Sequence, residues 1–565
     1  MNDDLELGLR LSKQSYELEL QNSSSSKRIK FDNDKEVIRI DLSSSSPEPS
    51  TSTKTGGIEL NVSPFDFDLK VIDKPVRFSL WTQACLQCSY TTSRKEIMNI
   101  LTNYFRLILY NDKNCLLSSL WLFNNKLGPS YESDELGIGP QIFNKCIKDL
   151  STLSAKGLKK FHTLGDVGDY AYEALKNNIQ ILKPKPLTVN GVYETLSKIT
   201  KFKGPQSRNM KIDSIKKLLV AAQGEEIRYL MRIFAQNLRI GAVRTTILLA
   251  LGKAFLLNEH KRLEDVTNND IKEVENLMRK VFARHPNFNT IVHSLLHHGL
   301  TNLESNVQVA VGTPIQPMLG AITRSLEDVN TKLGDSQYTS QAKLDGQRCQ
   351  IHAKIVDEKE FIGNGWKSTN TLSNRNGFKV WIRLFSRHLE DMTEKYPDIL
   401  MTIYNMFNRN INLENFILDS EITAIDIDTK QLKTFQDLSN RSKVNVDINE
   451  IKVAVGIFCF DIMYFNNEPL LSQSLRNRRQ TMICNLEPYE PDDKKHARFL
   501  YVPFIDDSDP QILHDFFQKC LKMKAEGIMV KLLDEYEVVN EDNKKINQQR
   551  ILPATYEPGG FNYSI

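Results

Sequence analysis

Residues 340–349, "SQAKLDGQRC", place Lys343 two positions before an Asp-Gly pair. Asp-Gly favours a tight turn, and the flanking segments are typical of strands, so the stretch predicts a strand, a turn and a second strand. Lys343 is then either a surface lysine in a hairpin or a nucleophile. Background composition places Lys-x-Asp-Gly in about one chain of this length in eight. The quartet alone therefore does not decide between the two interpretations.

The composition indicates a globular chain without membrane spans. Its 565 residues are 40% hydrophobic, enough for about two to four packed domains. No apolar run approaches the length that spans a bilayer, and the acidic start "MNDDLELGLR" is unlike a secretory signal. We therefore expect a soluble protein made in the cytosol, with no membrane contact.

Charge and cysteine usage exclude little. The net charge of +3 is too small to indicate a polyanion partner, so a nucleic-acid surface would need local basic clusters such as "SKITKFKG", "KIDSIKK" or "NLRIGAVR". Solvated helix faces are the alternative. The eight cysteines include one CxxC, Cys85 and Cys88, without a second pair to complete a zinc site. We expect reduced, structural thiols.

Residues 1–72 are rich in Ser, Asp, Glu and Lys and predict a disordered tail. Within it, "KRIK" at 27–30 has the spacing of a nuclear-import signal and favours the nucleus. "EVIRIDLSSSSPEP" at 36–49 resembles a strand that adds to a SUMO-like sheet, and "DDLELGLRLSKQSYE" at 3–17 resembles a ubiquitin-interacting helix. SUMO or ubiquitin contact is thus a hypothesis, and an unspecific apolar piece of tail is the alternative.

The next region, residues 75–300, has the apolar period of helices. In "EEIRYLMRIFAQNLRIG" the apolar residues from Ile227 to Leu238 fall on one stripe, and Gly241 follows as a candidate C-cap. From 305 to 533 the pattern changes to alternating or β-branched runs: "RCQIHAKIV", "VWIRLFS", "NFILDSEITAI" and "KVAVGIFCFDIMYF". The sequence predicts an all-α domain followed by a mixed α and β domain.

A lysine that attacks a nucleotide phosphate needs carboxylates for a divalent metal, an aromatic side chain for the base and cations for phosphate oxygens. In "FILDSEI", Asp419 and Glu421 project on the same side because side chains alternate along a strand. Paired acids at a strand end suit Mg²⁺.

The other helpers follow in order along the chain. "FCFDIMYF" places Phe460 and Asp461 inside an apolar strand, and "EGIMVK" has Glu526 and Lys531 at its two ends. Taken singly, each has an ordinary structural explanation: a core aromatic, a turn acid or a solvated strand end. Their joint order is what favours a site.

That order resembles a known family. From "KLDGQR" through "FSR", "LDSE", "FCFDIMY" and "EGIMVK", residues 305–533 resemble the adenylation domain of ATP-dependent DNA ligases. The upstream segments "LGPSYESDELGIG", "GDVGDYA", "KIDSIKKLLVAA", "NLRIGAVRTTILLAL", "LLHHGL" and "GTPIQPML" resemble the DNA-binding domain of eukaryotic ligases. The resemblance is closest to the replicative ligase I type.

The resemblance implies a multidomain fold. A disordered tail, residues 1–72, precedes an all-α DNA-binding domain at 75–300 and an α+β nucleotidyltransferase domain with antiparallel sheets at 305–533. An irregular polar segment, 534–565, follows, without the C-terminal OB-fold of such ligases.

The resemblance also implies chemistry. The chain would seal nicks in duplex DNA, in replication, repair and recombination, using ATP and Mg²⁺, as a monomer in the nucleus. Lys343 would form a lysine–AMP intermediate. The implied nucleotide-binding residues are Gln341, Arg348, Arg387, Glu421, Phe460 and Lys531, and the implied metal ligands are Glu421 and Glu526. Lys211, Lys216, Arg239 and Arg244 would contact DNA phosphates.

Three features depart from the family pattern. Gln341 stands where this group usually has glutamate; its carbonyl can still accept from the adenine amino group, without the carboxylate charge. Residues 357–380 resemble an insertion within a compact sheet. After "EGIMVK" the chain lacks the expected Trp-Leu-Lys-x-Lys strand and the OB-fold.

Those last elements would supply cations to the phosphates, so we expect this chain alone to form lysine–AMP slowly and to seal nicks poorly. The alternative is a non-catalytic nick-binding or regulatory protein derived from a ligase.

Overall fold

The computed structural model describes residues 57–132, 135–154, 156–158, 164–177, 185–260, 262–322, 325, 333, 336–357, 371–375, 378–441, 446–534 and 561–564. The three tail segments interpreted above, at 3–17, 27–30 and 36–49, lie outside these residues. None of the described helices is long and apolar enough to cross a membrane.

The first half of the described chain is helical, as predicted. Its helices are α1 (Phe78–Ser89), α2 (Arg94–Asn111), α3 (Leu116–Phe123), α4 (Pro140–Leu150), α5 (Val167–Leu175), α6 (Val189–Thr200), α7 (Ser207–Ala221), α8 (Glu225–Phe234), α9 (Arg244–Glu259), α10 (Asn268–Arg284), α11 (Phe288–His298) and α12 (Leu303–Asn306). They share one apolar core that runs from Leu60 to Val307. The core therefore extends beyond the predicted 75–300 at both ends.

The end of the predicted disordered tail is wrong for residues 58–72. Leu60 is fully buried, and the Asn103 amide donates to the carbonyls of Leu60 and Val62 at 2.9 and 3.0 Å. Phe67 is buried in the same core. Burial of the Phe67 and Leu60 side chains offsets the loss of chain entropy and orders a segment whose composition is mostly polar.

Helix α8 also ends earlier than its apolar stripe predicts. The N–H of Asn237 donates to the Arg232 carbonyl at 2.9 Å, and the N–H of Gln236 donates to the Ile233 carbonyl at 3.0 Å. Gln236 has a φ of 54°, so this is a Schellman ending with glutamine in the left-handed position. Gly241, predicted as the C-cap, lies in the loop that follows.

The second half of the described chain builds two sheets. The strands are β1 (Leu319–Ile322), β2 (Tyr338–Lys343), β3 (Gln347–Val356), β4 (Thr371–Arg375), β5 (Phe378–Ser386), β6 (Asn415–Ile425), β7 (Ala454–Phe465), β8 (Glu468–Pro469), β9 (Arg498–Tyr501), β10 (Phe504–Ile505), β11 (Gly527–Leu532) and β12 (Phe561–Ser564). The smaller sheet has the order β1-β12-β11-β2-β10, and the larger has β4-β5-β3-β6-β7-β8 with β9 paired to β7. Most pairs are antiparallel as predicted; β1 with β12 and β7 with β9 are parallel.

In the described part of this half, four helices accompany the sheets: α13 (Pro397–Arg409), α14 (Phe435–Ser439), α15 (Leu475–Asn485) and α16 (Pro510–Lys522). Ile399 and Ile403 of α13 belong to the core of the larger sheet. Leu513 and Phe516 of α16 belong to the core of the smaller sheet. Each sheet thus buries one face under its own helix, which leaves the other faces available to each other.

The strand, turn and strand predicted around Lys343 are present, but the two strands do not pair with each other as a hairpin. β2 pairs with β10 and β11, whereas β3 pairs with β5 and β6, so the chain crosses from one sheet to the other between them. A Cβ on Gly346 would clash with the Ile422 carbonyl oxygen of β6. The Asp-Gly pair therefore serves a close approach between backbones rather than a hairpin turn.

Both the predicted insertion and the segment predicted to be irregular contain strands. Within the predicted insertion at 357–380, residues of β4 pair with β5, so part of it extends the larger sheet. In the predicted irregular segment 534–565, β12 lies between β1 and β11. Unpaired strand edges favour such additions, because each new strand satisfies a row of backbone groups.

The eight cysteines are free thiols, and seven of them are buried. Cys85 and Cys88 both lie inside α1, where burial raises the pKa of the Cys88 thiol to about 12. A thiol in that state is a poor metal ligand and a poor nucleophile. The CxxC of this chain is part of the helical core.

Candidate nucleotide-binding site

A cavity of about 440 Å³ opens between the two sheets. All eight residues predicted to bind the nucleotide or a metal line it: Gln341, Lys343, Arg348, Arg387, Glu421, Phe460, Glu526 and Lys531. They come from β2, β3, β6, β7 and β11 and from the turns that adjoin β5 and β11. Residues separated by almost 190 positions in sequence thus meet around one space.

Strand alternation explains how β2 and β11 serve the cavity. Ala342, Ile528 and Val530 pack into the core beneath α16. Gln341 and Lys343, the neighbours of Ala342 on β2, therefore point the opposite way, into the cavity. The antiparallel register places Met529 opposite Gln341. One face of this sheet is core and the other is cavity wall.

Lys343 forms an ion pair with the Glu526 carboxylate. The two residues are joined a second time, because the Glu526 N–H donates to the Lys343 carbonyl at 2.8 Å. The Lys343 side chain is 38% exposed and the Glu526 side chain is 44% exposed. Lys343 is thus held at the mouth of the cavity, where a substrate can reach its amine, with a proton acceptor beside it.

Arg348 and Glu421 face each other across β3 and β6. The Arg348 guanidinium grips Asp419 with two bonds, Nε to Oδ1 at 3.0 Å and Nη2 to Oδ2 at 2.6 Å. Asp419 is fully buried, and both of its carboxylate oxygens accept hydrogen bonds from Arg348. It is therefore not a free metal ligand beside Glu421. Burial raises the pKa of Glu421 to about 8, although the Arg348 guanidinium opposes the shift.

Phe460 and Lys531 form the inner part of the cavity. The Lys531 Nζ lies 4.4 Å from the centroid of the Phe460 ring, and the Arg348 guanidinium lies 5.5 Å from it. Burial lowers the pKa of Lys531 to about 8, against the attraction of Asp461 and Asp419. Lys531 is therefore a cation close to its titration point at neutral pH.

Asp461, predicted to lie inside an apolar strand with a turn acid as the alternative, is buried in β7 in an ion pair with Arg478. The guanidinium donates from Nε to Oδ1 at 2.8 Å and from Nη2 to Oδ2 at 2.9 Å. Arg478 lies on α15, in the sequence "LRNRRQ", which is typical of a solvated basic helix. No local signal in this segment shows that Arg478, rather than a neighbouring arginine, pairs with Asp461 in the cavity wall.

The carboxylates fit a magnesium ion of the kind shared with phosphates. Among the described residues, no group of three His, Cys, Asp or Glu side chains could hold a metal by itself. Mg²⁺ is commonly bound by one or two carboxylates together with substrate phosphates. Glu421 and Glu526 line the same cavity and suit that arrangement.

The four predicted DNA contacts do not gather in one place. Arg239 and Arg244 line a second cavity, in the helical domain, together with Lys126, which sequence reasoning missed. Lys211 and Lys216 lie on α7 with internal partners: Lys211 donates to the Leu136 carbonyl, and Lys216 pairs with Asp149, both at 2.6 Å.

Arg239 and Arg244 also have internal contacts. Arg239 Nε lies 3.1 Å from Asp166 Oδ2, and its side chain remains 49% exposed. The Arg244 guanidinium lies 5.2 Å from the centroid of the Phe282 ring, and burial lowers its pKa. Both arginine residues remain exposed.

Fold and cavity together define a class of protein. A helical domain is followed by two facing sheets, and the cavity between the sheets carries Lys343, three carboxylates, an aromatic ring and several further cations. This set matches the needs of an enzyme that transfers a nucleotide through a lysine.

Comparison with known proteins identifies the family. The "DNA ligase N terminus" family matches residues 77–252, and the "ATP dependent DNA ligase domain" family matches residues 378–545. The chain is 33% identical to DNA ligase 3 of Schizosaccharomyces pombe, over 83% of this chain and 56% of that protein. It is 32% identical to DNA ligase 1 of Saccharomyces cerevisiae, over 83% of this chain and 59% of that protein. With DNA ligase 1 of Arabidopsis thaliana the identity is 30%, over 88% and 60%.

The chain belongs to the family of ATP-dependent DNA ligases, which confirms the resemblance drawn from its motifs. It spans somewhat under two thirds of the length of these curated relatives. Lys343 lies between the two ranges that the family patterns match.

Proposed function

We propose that this chain binds nicked duplex DNA through its helical domain and seals the nick with ATP through a lysine–AMP intermediate on Lys343. The observation that supports this proposal is the cavity: eight side chains chosen from separate motifs line one space between the sheets. The two carboxylates, four cations and one aromatic ring among them suit a nucleoside triphosphate and its metal.

The proposed chemistry begins when Lys343 loses its proton, with Glu526 as the nearest acceptor. The free amine attacks the α-phosphorus of ATP, a P–N bond forms, the bond to the bridging oxygen breaks and pyrophosphate leaves. The AMP group then passes to a 5′-phosphate oxygen of the nick, which restores the lysine. The neighbouring 3′-hydroxyl attacks that 5′-phosphorus, and AMP leaves as the strand is joined.

Each side chain has a proposed part in these steps. Phe460 offers a ring face to the base, and Arg348, Arg387 and Lys531 face phosphate or ribose oxygens. Glu421 and Glu526 would hold Mg²⁺, which when bound would neutralise charge on the phosphates. Exposed Arg387, at the rim beside β5, is free to meet a ligand that enters from solvent.

DNA contact is proposed for Arg239 and Arg244, with Lys126 added and with Lys211 and Lys216 as secondary contacts. Grip through phosphates gives affinity without sequence preference, so binding should weaken steeply with salt. We also propose a nuclear monomer that acts in replication, repair and recombination, because the similar proteins are eukaryotic DNA ligases. SUMO or ubiquitin contact remains a hypothesis on residues outside those described.

The direct test uses the full chain with α-labelled ATP and Mg²⁺, followed by addition of nicked or intact duplex DNA. We expect a labelled protein whose label maps to Lys343 in a peptide digest. Nicked DNA should remove the label and become sealed, and intact duplex should leave it in place. Label on another residue, or equal loss of label with intact duplex, would contradict the proposal.

The pKa of Lys531 gives a pH prediction for ATP affinity. Because that pKa is lowered to about 8, the side chain is a cation below that pH and becomes a neutral amine above it. Losing this cation should weaken ATP binding by about tenfold between pH 7 and pH 9.5, since a hydrogen bond to a charged group contributes about 1.5 kcal/mol or more. Calorimetric titration of the Lys343→Ala chain measures this without chemistry.

Lys531→Arg provides the matched control, because a guanidinium stays charged throughout this range. Its ATP affinity should fall less over the same interval, and the loss that remains would reflect ionisation of Glu421, whose pKa is also raised to about 8. If the substituted chain loses affinity with pH as steeply as the original does, another group is responsible.

A further inference from the structure

Gln341 is a buried amide without a protein partner. It is 3% exposed and lines the cavity between the sheets. No hydrogen bond joins its side chain to any residue that the structure describes. Its amide atoms are not among the side-chain nitrogen and oxygen atoms that are both sealed from solvent and unpaired, so the amide faces the open cavity. The amide of Gln341 is thus available for a ligand in the cavity.

Two neighbouring glutamines show what a committed amide looks like in this domain. Gln350 accepts from the Ile315 N–H at 2.9 Å and donates to the Ile315 carbonyl, so both of its ends are used. Gln347 accepts from Lys395 at 2.8 Å and from Tyr396 at 2.7 Å. These contacts fix which way each amide faces. Nothing in the described structure fixes the amide of Gln341.

The position of Gln341 points to the base of the nucleotide. Among the described residues that line the cavity, Gln341 has the one uncharged polar side chain. The charged groups suit phosphates, ribose and metal, whereas an amide suits the edge of a base. Gln341 lies two residues from Lys343 on the same strand face, about 7 Å along β2. Met529 lies opposite Gln341 on β11, and Phe460 of β7 lines the cavity from the other sheet, so the space beside Gln341 has apolar groups on both sheets.

We propose that Gln341 pairs with the 6-position edge of the purine in either of two amide orientations, so that the cavity accepts both 6-amino and 6-oxo purine nucleotides. With a 6-amino purine, the amide oxygen accepts from the amino group and the amide nitrogen faces the acceptor N1. With a 6-oxo purine, the turned amide donates to the oxo group and its oxygen accepts from N1–H. This inference rests on the proposed function, which places the purine of ATP in this cavity.

A glutamate at the same position would behave differently. An ionised carboxylate only accepts, so it pairs with a 6-amino group and faces a 6-oxo group without a donor between them. Gln341→Glu should therefore restore discrimination that the amide does not provide. The amide can turn at little cost because no protein group holds it.

The test compares ATP with inosine triphosphate, which differs only by an oxo group and an N1 proton at this edge. The full chain, with Mg²⁺ and α-labelled nucleotide, should label Lys343 with the inosine nucleotide at a rate within about tenfold of ATP. Gln341→Glu should raise the preference for ATP by about 10- to 100-fold. Gln518→Glu, on the exposed face of α16, adds the same charge away from the cavity and should leave the ratio unchanged.

Binding separates this inference from the proposed function. If neither nucleotide labels the chain, the function proposal fails, and competition between the two nucleotides for binding still measures the base preference. A strong preference for ATP in the original chain, or an unchanged ratio in Gln341→Glu, overturns the base-reading inference even where ATP labels Lys343. Absence of any nucleotide binding overturns both.

Discussion

Replacing Lys343 by alanine is expected to lower the rate of AMP transfer to the protein by at least about 1,000-fold, because the reacting amine itself is removed. Among the described residues that line the cavity, the only other primary amine is that of Lys531. Lys531 is 8% exposed and lies over the Phe460 ring, deeper than the mouth where Lys343 meets Glu526. Label retained on the protein after incubation with α-labelled ATP is the measurement.

Two further substitutions test whether the loss of AMP labelling is due to the missing nucleophile. Lys343→Arg keeps a cation but lacks a nucleophilic amine, so it should bind ATP and fail to become labelled. Lys522→Ala removes an exposed lysine at the end of α16 and should label normally. Full labelling of Lys343→Ala would show that Lys343 is not the nucleophile. If neither the original chain nor any variant becomes labelled with AMP but the chain still binds nicked DNA, the non-catalytic alternative is favoured.

Local patterns predicted most strands of the second half. The segment "NFILDSEITAI" became β6 with the same limits, 415–425, because alternation and β-branched residues act over a few positions. Which sheet a strand joins depends on partners far away in sequence. β2 and β3 are three residues apart, yet β2 pairs with β10 and β11 and β3 pairs with β5 and β6, so the predicted strands do not form a hairpin.

The motif residues lie around one cavity, although the pairing of the strands that carry them was not predicted. Each motif residue was chosen for its chemistry, and strands of fixed alternation then delivered all eight to one cavity. What the motifs could not show is which charges pair with each other. Asp419 is held by Arg348 and Asp461 by Arg478, and these pairs span 71 and 17 positions.

The same limit applies to the helical domain. Lys216 has the appearance of a surface cation in "KIDSIKK", but Asp149, 67 positions earlier, pairs with it. Lys126, in the loop after α3, joins Arg239 and Arg244 on one cavity wall although nothing local marks it. Charge clusters in sequence therefore do not show which of their cations are held by internal partners.

The second large effect is on stability, at an ion pair far from the cavity. Asp398, at the start of α13, is fully buried and accepts two bonds from the Arg441 guanidinium, one of them from Nη1 at 2.9 Å. Arg441 is 5% exposed and also donates to the Val453 carbonyl. Asp398→Ala leaves this guanidinium buried without its carboxylate, which should lower the free energy of unfolding by about 3–5 kcal/mol. Hydrogen exchange of the α13 amides during urea titration measures the loss.

The pair itself is not expected to be a net source of stability. Burial raises the pKa of Asp398 even though Arg441 lies against it, so the cost of desolvation exceeds the attraction between the charges. Removing both charges, as Asp398→Leu with Arg441→Met, should therefore recover most of what Asp398→Ala loses. Lys494→Ala breaks an exposed pair with Asp428 and should cause no measurable change. A double variant as unstable as the single one would show that the pair stabilises this domain through its charge.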